Sequence, residues 1–280
     1  METTLGRKPL VRDIDAGEAA FFDDNGWVKL ERLISAELAG QLLTAAKTTM
    51  AAAPLAQERV GLRGRETAKR HSGQVTDARF WQAYHFAARD DRTEPFASLV
   101  FSNEMGKAVQ TLMGRDVAVR YHNDLLACKM PEGQVGGQKT DWHQDLAYPF
   151  DRTGGVSIWI ALSDVPPERG AMRFLSGSHR EGPLGRTHEG DRDVLEAYPR
   201  LAARYPLSPP LHLRPGDATA HKPFVCHSAP VNSTDEPRFA YIIGYFPGDT
   251  RYTAAPNYNF DNLGLEFGKV IDHPNFPVVS

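Results

Sequence analysis

Two side chains two positions apart, His143 and Asp145, have the types and spacing that could do chemistry. On a β-strand alternate side chains point to the same face, so these two would share one space while Gln144 faces away. An imidazole nitrogen beside a carboxylate oxygen supplies two of the three ligands of a 2-His-1-carboxylate site, which binds non-haem Fe(II) and leaves coordination positions open. Because His-x-Asp also arises by chance, a metal site here requires a second histidine from elsewhere in the chain.

That second histidine is His227, which ends the strand-like run 224–226 and would be delivered by that strand to the mouth of a barrel. Asn232 and Arg238 follow it, and Arg238 begins the strand-like run 239–246. This run is the natural antiparallel partner of the strand that carries His227. An arginine at its start could form a bidentate pair with a carboxylate inside the barrel.

The elements that must position these residues are predicted to be helices in the N-terminal part and strands in the rest. Ser35 is a good N-cap for an amphipathic helix over 36–53, and further helical regions are predicted over about 77–89 and 95–113. From 116 onward, short runs rich in β-branched and aromatic residues alternate with Gly and Pro turns, which is typical of a sandwich or closed barrel. The helices would then pack against one side of the β-structure.

The composition excludes several classes of protein. A chain of 280 residues with 41% hydrophobic residues can form one large domain, and its net charge of -3 argues against a general nucleic-acid binder or a polybasic membrane protein. The N-terminus lacks the apolar core of a signal peptide, and no apolar run approaches the length of a membrane span. Two cysteines, Cys128 and Cys226, make no disulfide framework, so a reducing cytoplasm is the expected compartment.

Several short motifs occur in a fixed order along the chain. They are Phe22 to Val28 with the helix after Ser35, Cys128 to Pro131, His143 with Asp145, Trp159 to Asp164, Gly170 with Ser176 to His179, Pro215 to Asp217, and His227 with Asn232 and Arg238. Each motif alone is weak, but the ordered set resembles the phytanoyl-CoA dioxygenase family over nearly the whole chain. Members of that family are Fe(II)- and 2-oxoglutarate-dependent oxygenases.

The resemblance implies a mainly β fold with flanking α-helices: a double-stranded β-helix, the jelly roll of cupins, with the N-terminal helices packed on one side. A single oxygenase domain would then cover 1–280. Its helical part would extend to about 115, its jelly-roll core would cover about 116–250, and a C-terminal tail would cover 251–280.

The resemblance also implies which residues form the site. Iron would be bound by His143, Asp145 and His227, and the distal carboxylate of 2-oxoglutarate would pair with Arg238. The pocket for this cosubstrate would be lined by Trp159 and Leu125, with Asn123 near it.

One position departs from the pattern of the family. Members often place a serine two residues after the distal histidine, where it binds the same carboxylate, but this chain has Ala229 there and Ser228 one step earlier. Either Ser228 takes that role through a small backbone shift, or Arg238 works with other donors.

The reaction implied is the oxidation, most often hydroxylation, of a small organic substrate by O2, with decarboxylation of 2-oxoglutarate to succinate and CO2 and with ascorbate as an assisting reductant. Desaturation, epoxidation, ring closure and rearrangement use the same iron, whereas Asp145 argues against a halogenase, which needs a small residue there. The alternatives are a cupin-like isomerase or hydrolase that uses a divalent metal as a Lewis acid, and a barrel that binds without catalysis. The oligomeric state is left open.

Four further histidines, His122, His179, His212 and His221, are candidate ligands by residue type. His179 closes a turn and is interpreted as structural. His221 lies six residues before the distal histidine across a proline, so it is not expected to share its face.

The segment 59–74 is basic and rich in glycine, which predicts a loop rather than a helix or strand. Such a loop could cover the open mouth of the barrel, where its cations Arg63, Arg65, Lys69 and Arg70 would meet an acidic group on the substrate. A solvated surface loop without a role in binding is the alternative. The substrate itself is placed only broadly, in specialised metabolism or among acyl and carboxylate compounds.

Overall fold

A computed structural model describes residues 9–52, 74–77, 81–90, 92–145, 154–184, 193–255, 257 and 260–280. The basic segment with Arg63, Arg65, Lys69 and Arg70 lies outside the described residues, apart from Gln74. No helix in the described ranges has both the length and the apolar character needed to span a membrane.

The first helix, α1 (Ala16–Asn25), begins and ends where the sequence provides caps. The carboxylate of Asp15 accepts a hydrogen bond from the Glu18 amide at 2.8 Å, and the Glu18 carboxylate accepts one from the Asp15 amide at 3.1 Å. Gly26, with φ 76°, ends the helix in the left-handed region that glycine adopts without strain. The other helices described are α2 (Ala36–Ala52), α3 (Phe96–Val100), α4 (Asn103–Met113), α5 (Val194–Ala197) and α6 (Arg200–Arg204).

The described strands form two antiparallel sheets and no closed barrel. The larger sheet has the order β1-β8-β6-β10-β4-β3-β2, and the smaller has the order β5-β9-β7. The strands are β1 (Trp27–Leu30), β2 (Gln74–Asp77), β3 (Trp81–His85), β4 (Val119–Lys129), β5 (Thr140–His143), β6 (Val156–Ala161), β7 (Arg173–Phe174), β8 (Ala218–His221), β9 (His227–Ala229) and β10 (Arg238–Pro247).

Three elements differ from the sequence predictions. The helix predicted over 77–89 is wrong, because β3 lies within this range as a strand that pairs with β2 on one side and with β4 on the other. The helix predicted over 95–113 is two helices, since the Ser102 side chain caps a new helix by accepting from the Met105 amide. The strand predicted over 224–226 is a turn, and the strand itself starts at His227.

The large sheet separates two cores because alternate residues of each strand point to opposite faces. Its outer face packs against α1, α2 and α4, for example through Ile158 and Ile160 of β6 with Phe22 and Leu42. This confirms the prediction that the helices cover one side of the β-structure.

The inner face of the large sheet packs against the small sheet. Trp159 and Ala161 of β6 belong to one buried cluster with Phe174 of β7. The ring of Phe174 also stacks on Trp27 of β1, with the ring centroids 4.8 Å apart. The two sheets therefore face each other as the layers of a jelly roll.

Both cysteines are free and buried. Burial raises the pKa of Cys128 and that of Cys226 to about 11. Since the thiolate is the reactive form, neither side chain has the character of a nucleophile at neutral pH.

A buried carboxylate on the helical side of the sheet connects β4 to the segment that follows β3. The Asp124 carboxylate accepts hydrogen bonds from the hydroxyl of Tyr121 at 2.5 Å, from the hydroxyl of Tyr241 at 3.0 Å and from the Ala88 amide at 3.1 Å. Burial raises the pKa of Asp124 above its ordinary value, although these three donors act in the opposite direction.

We expect Asp124→Ala to lower the free energy of unfolding by about 2–4 kcal/mol, because two buried tyrosine hydroxyls and an amide would lose their acceptor.

The Asp124→Asn variant tests the titration of Asp124. A raised native pKa means that the folded state binds more protons between the unfolded and native pKa values, so the wild-type stability falls as pH rises through that interval. Urea unfolding at several pH values should show this fall in the wild type relative to Asp124→Asn. The exposed Asp235→Asn is the control, and a pH-independent difference for Asp124→Asn would contradict the prediction.

Candidate metal centre

Strand pairing brings the two predicted histidine ligands together. His143 at the end of β5 lies opposite His227 at the start of β9 in the small sheet. Opposite residues of an antiparallel pair share a face, and here the two ring centroids are 4.1 Å apart. Asp145 lies just beyond β5 rather than within it, and its amide donates to the Pro223 carbonyl at 2.9 Å.

The three side chains present their ligand atoms to one point. Asp145 Oδ1 lies 3.4 Å from His227 Nε2 and 3.9 Å from His143 Nε2. All three candidate ligand atoms lie within 4.8 Å of one another. Atoms that share one ion at about 2 Å each are about 3–4 Å apart, so a metal ion needs only a small contraction of this group.

Backbone carbonyls fix which nitrogen of each imidazole faces the group. His143 Nδ1 lies 2.7 Å from the Asp141 carbonyl, and His227 Nδ1 lies 3.1 Å from the Val225 carbonyl. A carbonyl only accepts, so Nδ1 carries the proton in both rings and Nε2 keeps its lone pair for a metal.

A third histidine, His221, lies beside the three ligands, so the prediction that it would face elsewhere is wrong. Its Nε2 donates to Asp145 Oδ2 at 2.8 Å, and its ring centroid is 4.5 Å from that of His227. The reason is that His221 ends β8 in the large sheet and His227 starts β9 in the small sheet, with the turn at Pro223 between them. Ser157 of β6, also missed, donates to the same oxygen at 2.9 Å. The one available signal was the strand phase of Ala218–His221, which puts His221 on the inner face.

The electrostatics of the group favour an ionised carboxylate. Burial would raise the pKa of Asp145, but His227 and His221 outweigh it and hold that pKa well below its usual range. Burial lowers the pKa of His221, whereas for His227 the charge and hydrogen bond of Asp145 outweigh burial and raise the pKa. The result is a partly buried anion among imidazoles, which is suited to a metal cation.

Gln144, between the two predicted ligands, faces away from them and fixes their position. It is buried, and its Nε2 donates to the carbonyls of Gly182 at 2.9 Å and Phe224 at 2.7 Å. Its Oε1 accepts from the Leu184 amide at 3.0 Å. The side chain therefore joins the segment that carries His143 to the turn that leads into His227.

The register of the large sheet aligns its inner residues in rows that start at the metal group. A Cβ on Gly244 would collide with the side-chain oxygen of Asn123, so glycine allows the Asn123 amide to lie across β10. The first row lies beside Asp145 and runs from β8 to β4 through His221, Ser157, Gly244 and Asn123, and the second row runs the same way through Thr219, Trp159, Ile242 and Leu125. The third row runs from β6 to β4 and consists of Ala161, Ala240 and Ala127. The fourth row pairs Arg238 of β10 with Lys129 of β4.

Arg238 lies at the far end of these rows as a buried cation. Its guanidinium carbon is 5.2 Å from the centroid of the Trp159 ring, and Nη1 donates to the Gly170 carbonyl. Burial lowers its pKa to about 10. In the part of the chain that the structure describes, its Nε has no hydrogen-bond partner and no carboxylate forms an ion pair with it. A buried guanidinium in this state is suited to an anion from outside the protein.

Lys129, opposite Arg238 in the register, is a second buried basic side chain, and no sequence motif pointed to it. Its Nζ donates to the carbonyls of Gln138 at 3.0 Å and Pro230 at 3.2 Å, and to the hydroxyl of Thr140 at 3.1 Å. Burial, and then the charge of Arg238, lower the pKa of Lys129 to about 6. Its contacts connect β4 to the start of β5 and to the end of β9, the two strands that carry the histidines.

Ser228 points away from the group. In the pairing of β7 with β9, Ser228 lies opposite Arg173 and His227 lies opposite Phe174, so strand alternation puts Ser228 and His227 on different faces. Ala229 shares the face of His227. The role predicted for Ser228 stays a prediction, and this alternation disfavours it.

The other candidate histidines lie outside the group of three ligands. His122 packs against the rings of Phe260 and Phe276, and burial lowers its pKa to about 3. His212 is exposed and lies 2.8 Å from Asp164. His179 packs against Gly26, which supports the interpretation that it is structural.

Comparison with known proteins agrees with this geometry. Residues 22–240 match the model of the family described as Phytanoyl-CoA dioxygenase (PhyH). A relative in Caenorhabditis briggsae, "Phytanoyl-CoA dioxygenase domain-containing protein 1 homolog", is 26% identical over 159 residues, which are 53% of this chain and 53% of the relative. "Dioxygenase lolE1" of Epichloe uncinata is 26% identical over 242 residues, which are 83% of this chain and 82% of the relative. The chain thus spans about half the length of the nematode relative and most of the fungal one.

Among solved structures, the fold is similar to that of the "non-heme alpha ketoglutarate dependent carbocyclase SnoK from nogalamycin biosynthesis". The TM-score is 0.72 at 22% sequence identity, with 98% of this chain and 100% of the other chain covered. At this identity the likeness concerns the fold, which is the jelly roll described above.

Proposed function

This chain belongs to the phytanoyl-CoA dioxygenase family, and we propose that it is a non-haem Fe(II)- and 2-oxoglutarate-dependent dioxygenase that oxidises a small organic substrate. The observation that carries the proposal is the pairing of two features inside one jelly roll. His143, Asp145 and His227 converge on one point, and Arg238 lies buried at the other end of the same inner face without a carboxylate partner among the described residues.

The donor set fits Fe(II). Two neutral imidazoles and one carboxylate are the ligands of the facial triad, which leaves three of six octahedral positions for other molecules. Fe(II) bound there would supply the activation of O2 that couples decarboxylation of 2-oxoglutarate to succinate and CO2 with oxidation of the substrate. The task of His143, Asp145 and His227 is to bind the ion on one face only.

The inner face also fits 2-oxoglutarate, a dicarboxylate with a negative charge at each end. Arg238 would bind the distal carboxylate, with Trp159 and Leu125 as the walls and Asn123 close to the metal end. The third row holds only alanines, so small side chains leave room for a carbon chain between the guanidinium and the metal group. Ser228 is the least supported member of this set. A single domain over 1–280 is part of the proposal.

The function is tested by succinate formation from 2-oxoglutarate with Fe(II), O2 and ascorbate. We expect turnover by the wild type and none by His227→Ala, which loses one of three ligands. His212→Ala, a change at an exposed histidine, is the control and should keep the wild-type rate. An isomerase or hydrolase that uses the metal only as a Lewis acid, or a barrel without catalysis, would leave 2-oxoglutarate unconsumed. Full turnover by His227→Ala would contradict the assignment of that ligand.

Arg238→Ala should weaken the binding of 2-oxoglutarate by about 3–5 kcal/mol, or at least 100-fold in Kd, because the distal carboxylate would lose its buried partner. Arg238→Lys should restore only part of the affinity, since an ammonium lacks the two parallel donors of the guanidinium. Calorimetric titration of the metal-loaded protein measures both. Metal affinity is the internal control and should change little. An unchanged Kd for 2-oxoglutarate in Arg238→Ala would assign the anchor to another residue.

The finer proposal concerns the substrate, a small molecule of specialised metabolism that carries an acidic group and is hydroxylated. Its support is the basic composition of 59–74 together with the biosynthetic role in the name of the SnoK neighbour. Since this segment lies outside the described residues, the sequence alone supports its role as a cover over the site.

Neutralising Arg65 and Lys69 together, as Arg65→Gln with Lys69→Gln, should raise the KM of an accepted acidic substrate and reduce its dependence on salt. Decarboxylation of 2-oxoglutarate without substrate should continue, because the metal ligands are untouched. Lys107→Gln with Lys269→Gln, which removes the same charge from exposed positions elsewhere, is the matched control. Equal KM values for the two double variants would mean that the segment has no role in substrate binding.

A further inference from the structure

We infer that His221, together with Ser157, is a positioning residue that keeps the metal-binding carboxylate of Asp145 monodentate. Oδ1 would face the metal, and Oδ2 would be held by the protein. The inference rests on the metal site proposed above and goes beyond it, because it assigns a role to two residues that are not metal ligands.

The two oxygens of Asp145 have different surroundings. Oδ1 is the atom closest to the candidate ligand nitrogens, at 3.4 Å from His227 Nε2 and 3.9 Å from His143 Nε2. Oδ2 accepts two hydrogen bonds, from His221 Nε2 at 2.8 Å and from the Ser157 hydroxyl at 2.9 Å. An oxygen that already accepts two donors is poorly placed to turn toward a metal ion on the other side of the carboxylate.

The orientation of its ring distinguishes His221 from the two ligand histidines. His143 and His227 each place Nδ1 at a backbone carbonyl, which leaves Nε2 without a proton and ready to bind a metal. His221 instead places Nε2 at a carboxylate, so Nε2 carries the proton and donates it. A protonated nitrogen is not a metal ligand, so His221 acts as a hydrogen-bond donor in this arrangement.

Rigid surroundings hold both donors in place. His221 and Ser157 are paired in the register of β8 with β6, and on the other side of β8 His221 is paired with Trp27. Both donors are buried, with 2% of His221 and 5% of Ser157 exposed. The Phe174 ring covers His221 at a centroid distance of 5.7 Å. Because these donors are fixed in the large sheet while the ligands belong to the small-sheet side, they fix the carboxylate relative to both sheets.

The consequence concerns the number of open positions on the metal. A monodentate Asp145 with two histidines uses three of six octahedral positions and leaves three, two for a chelating cosubstrate and one more. A carboxylate that is free to rotate could bind through both oxygens and take a fourth position. Holding Oδ2 in the protein therefore preserves the third open position.

The test uses Mn(II) alone as the probe, since it takes six ligands and is followed by EPR and by the relaxation of water protons. The variants are His221→Phe, which removes the donor, His221→Gln, which keeps an N–H donor, and Ser157→Ala. We expect His221→Phe to weaken Mn(II) binding about 10–100-fold. The number of exchangeable waters on the ion should fall from about three to about two. His221→Gln should restore both values toward the wild type, and Ser157→Ala should weaken binding less than His221→Phe.

Thermal unfolding of the metal-free variants separates a loss of positioning from a loss of fold, and His212→Gln is the control at an exposed histidine. Wild-type affinity and three waters in His221→Phe would overturn the inference while leaving the proposed function intact. Equal losses in the Phe and Gln variants would also overturn it, because packing rather than the donated hydrogen bond would be responsible. A wild-type protein that binds no Mn(II) would instead refute the metal site itself, and the inference with it.

Discussion

The partly buried carboxylate of Asp145 is the group on which the rest of the site depends. Removing a charge from water is costly unless it is paired, and here the pairing comes from both layers of the fold. His143 and His227 approach one oxygen from the side of the small sheet, while Ser157 and His221 hold the other oxygen from the large sheet. The contacts of this one side chain therefore form only when the two sheets are correctly stacked.

The opposite end of the inner face carries the opposite charge. Arg238 and Lys129 are buried side by side in the register, and burial lowers the pKa of both. Lys129 donates to backbone carbonyls, whereas Arg238 Nε has no hydrogen-bond partner among the described residues. Between this positive end and the metal group lie two rows of uncharged side chains, so the inner face has the polarity that a dicarboxylate needs when one end chelates a metal cation.

The helices make this arrangement possible although none of them provides a predicted site residue. They cover the outer face of the large sheet, and their packing fixes which residues of each strand point inward. A slip of one residue in β6 would exchange Ile158 and Ile160 with Ser157 and Trp159, and would place a hydroxyl in the apolar core. The hydrogen bonds of Asp124 tie the segment after β3 to that same outer face. The chemistry inside the jelly roll is therefore stabilised from outside it.

The sequence by itself determined the features that depend on local spacing. These include the two-residue spacing of His143 and Asp145, the N-cap at Ser35, and the side of the sheet on which the helices lie. The ordered motifs also identified the family, the jelly roll and the position of Arg238. Each of these depends on neighbouring residues or on a recognisable order, so one chain is enough to find them.

Only the tertiary structure decided which distant residues meet. His221 was misjudged because the turn at Pro223 carries the chain from one sheet to the other, and no local pattern reports such a crossing. The segment 77–89 contains β3 rather than a helix, because this stretch pairs with the distant strand β4. The contacts of Lys129 and the outward direction of Ser228 likewise follow from strand pairing across the sheets. These parts of the site depend on strand pairing and on contacts between charged groups that are distant in sequence, rather than on local propensity.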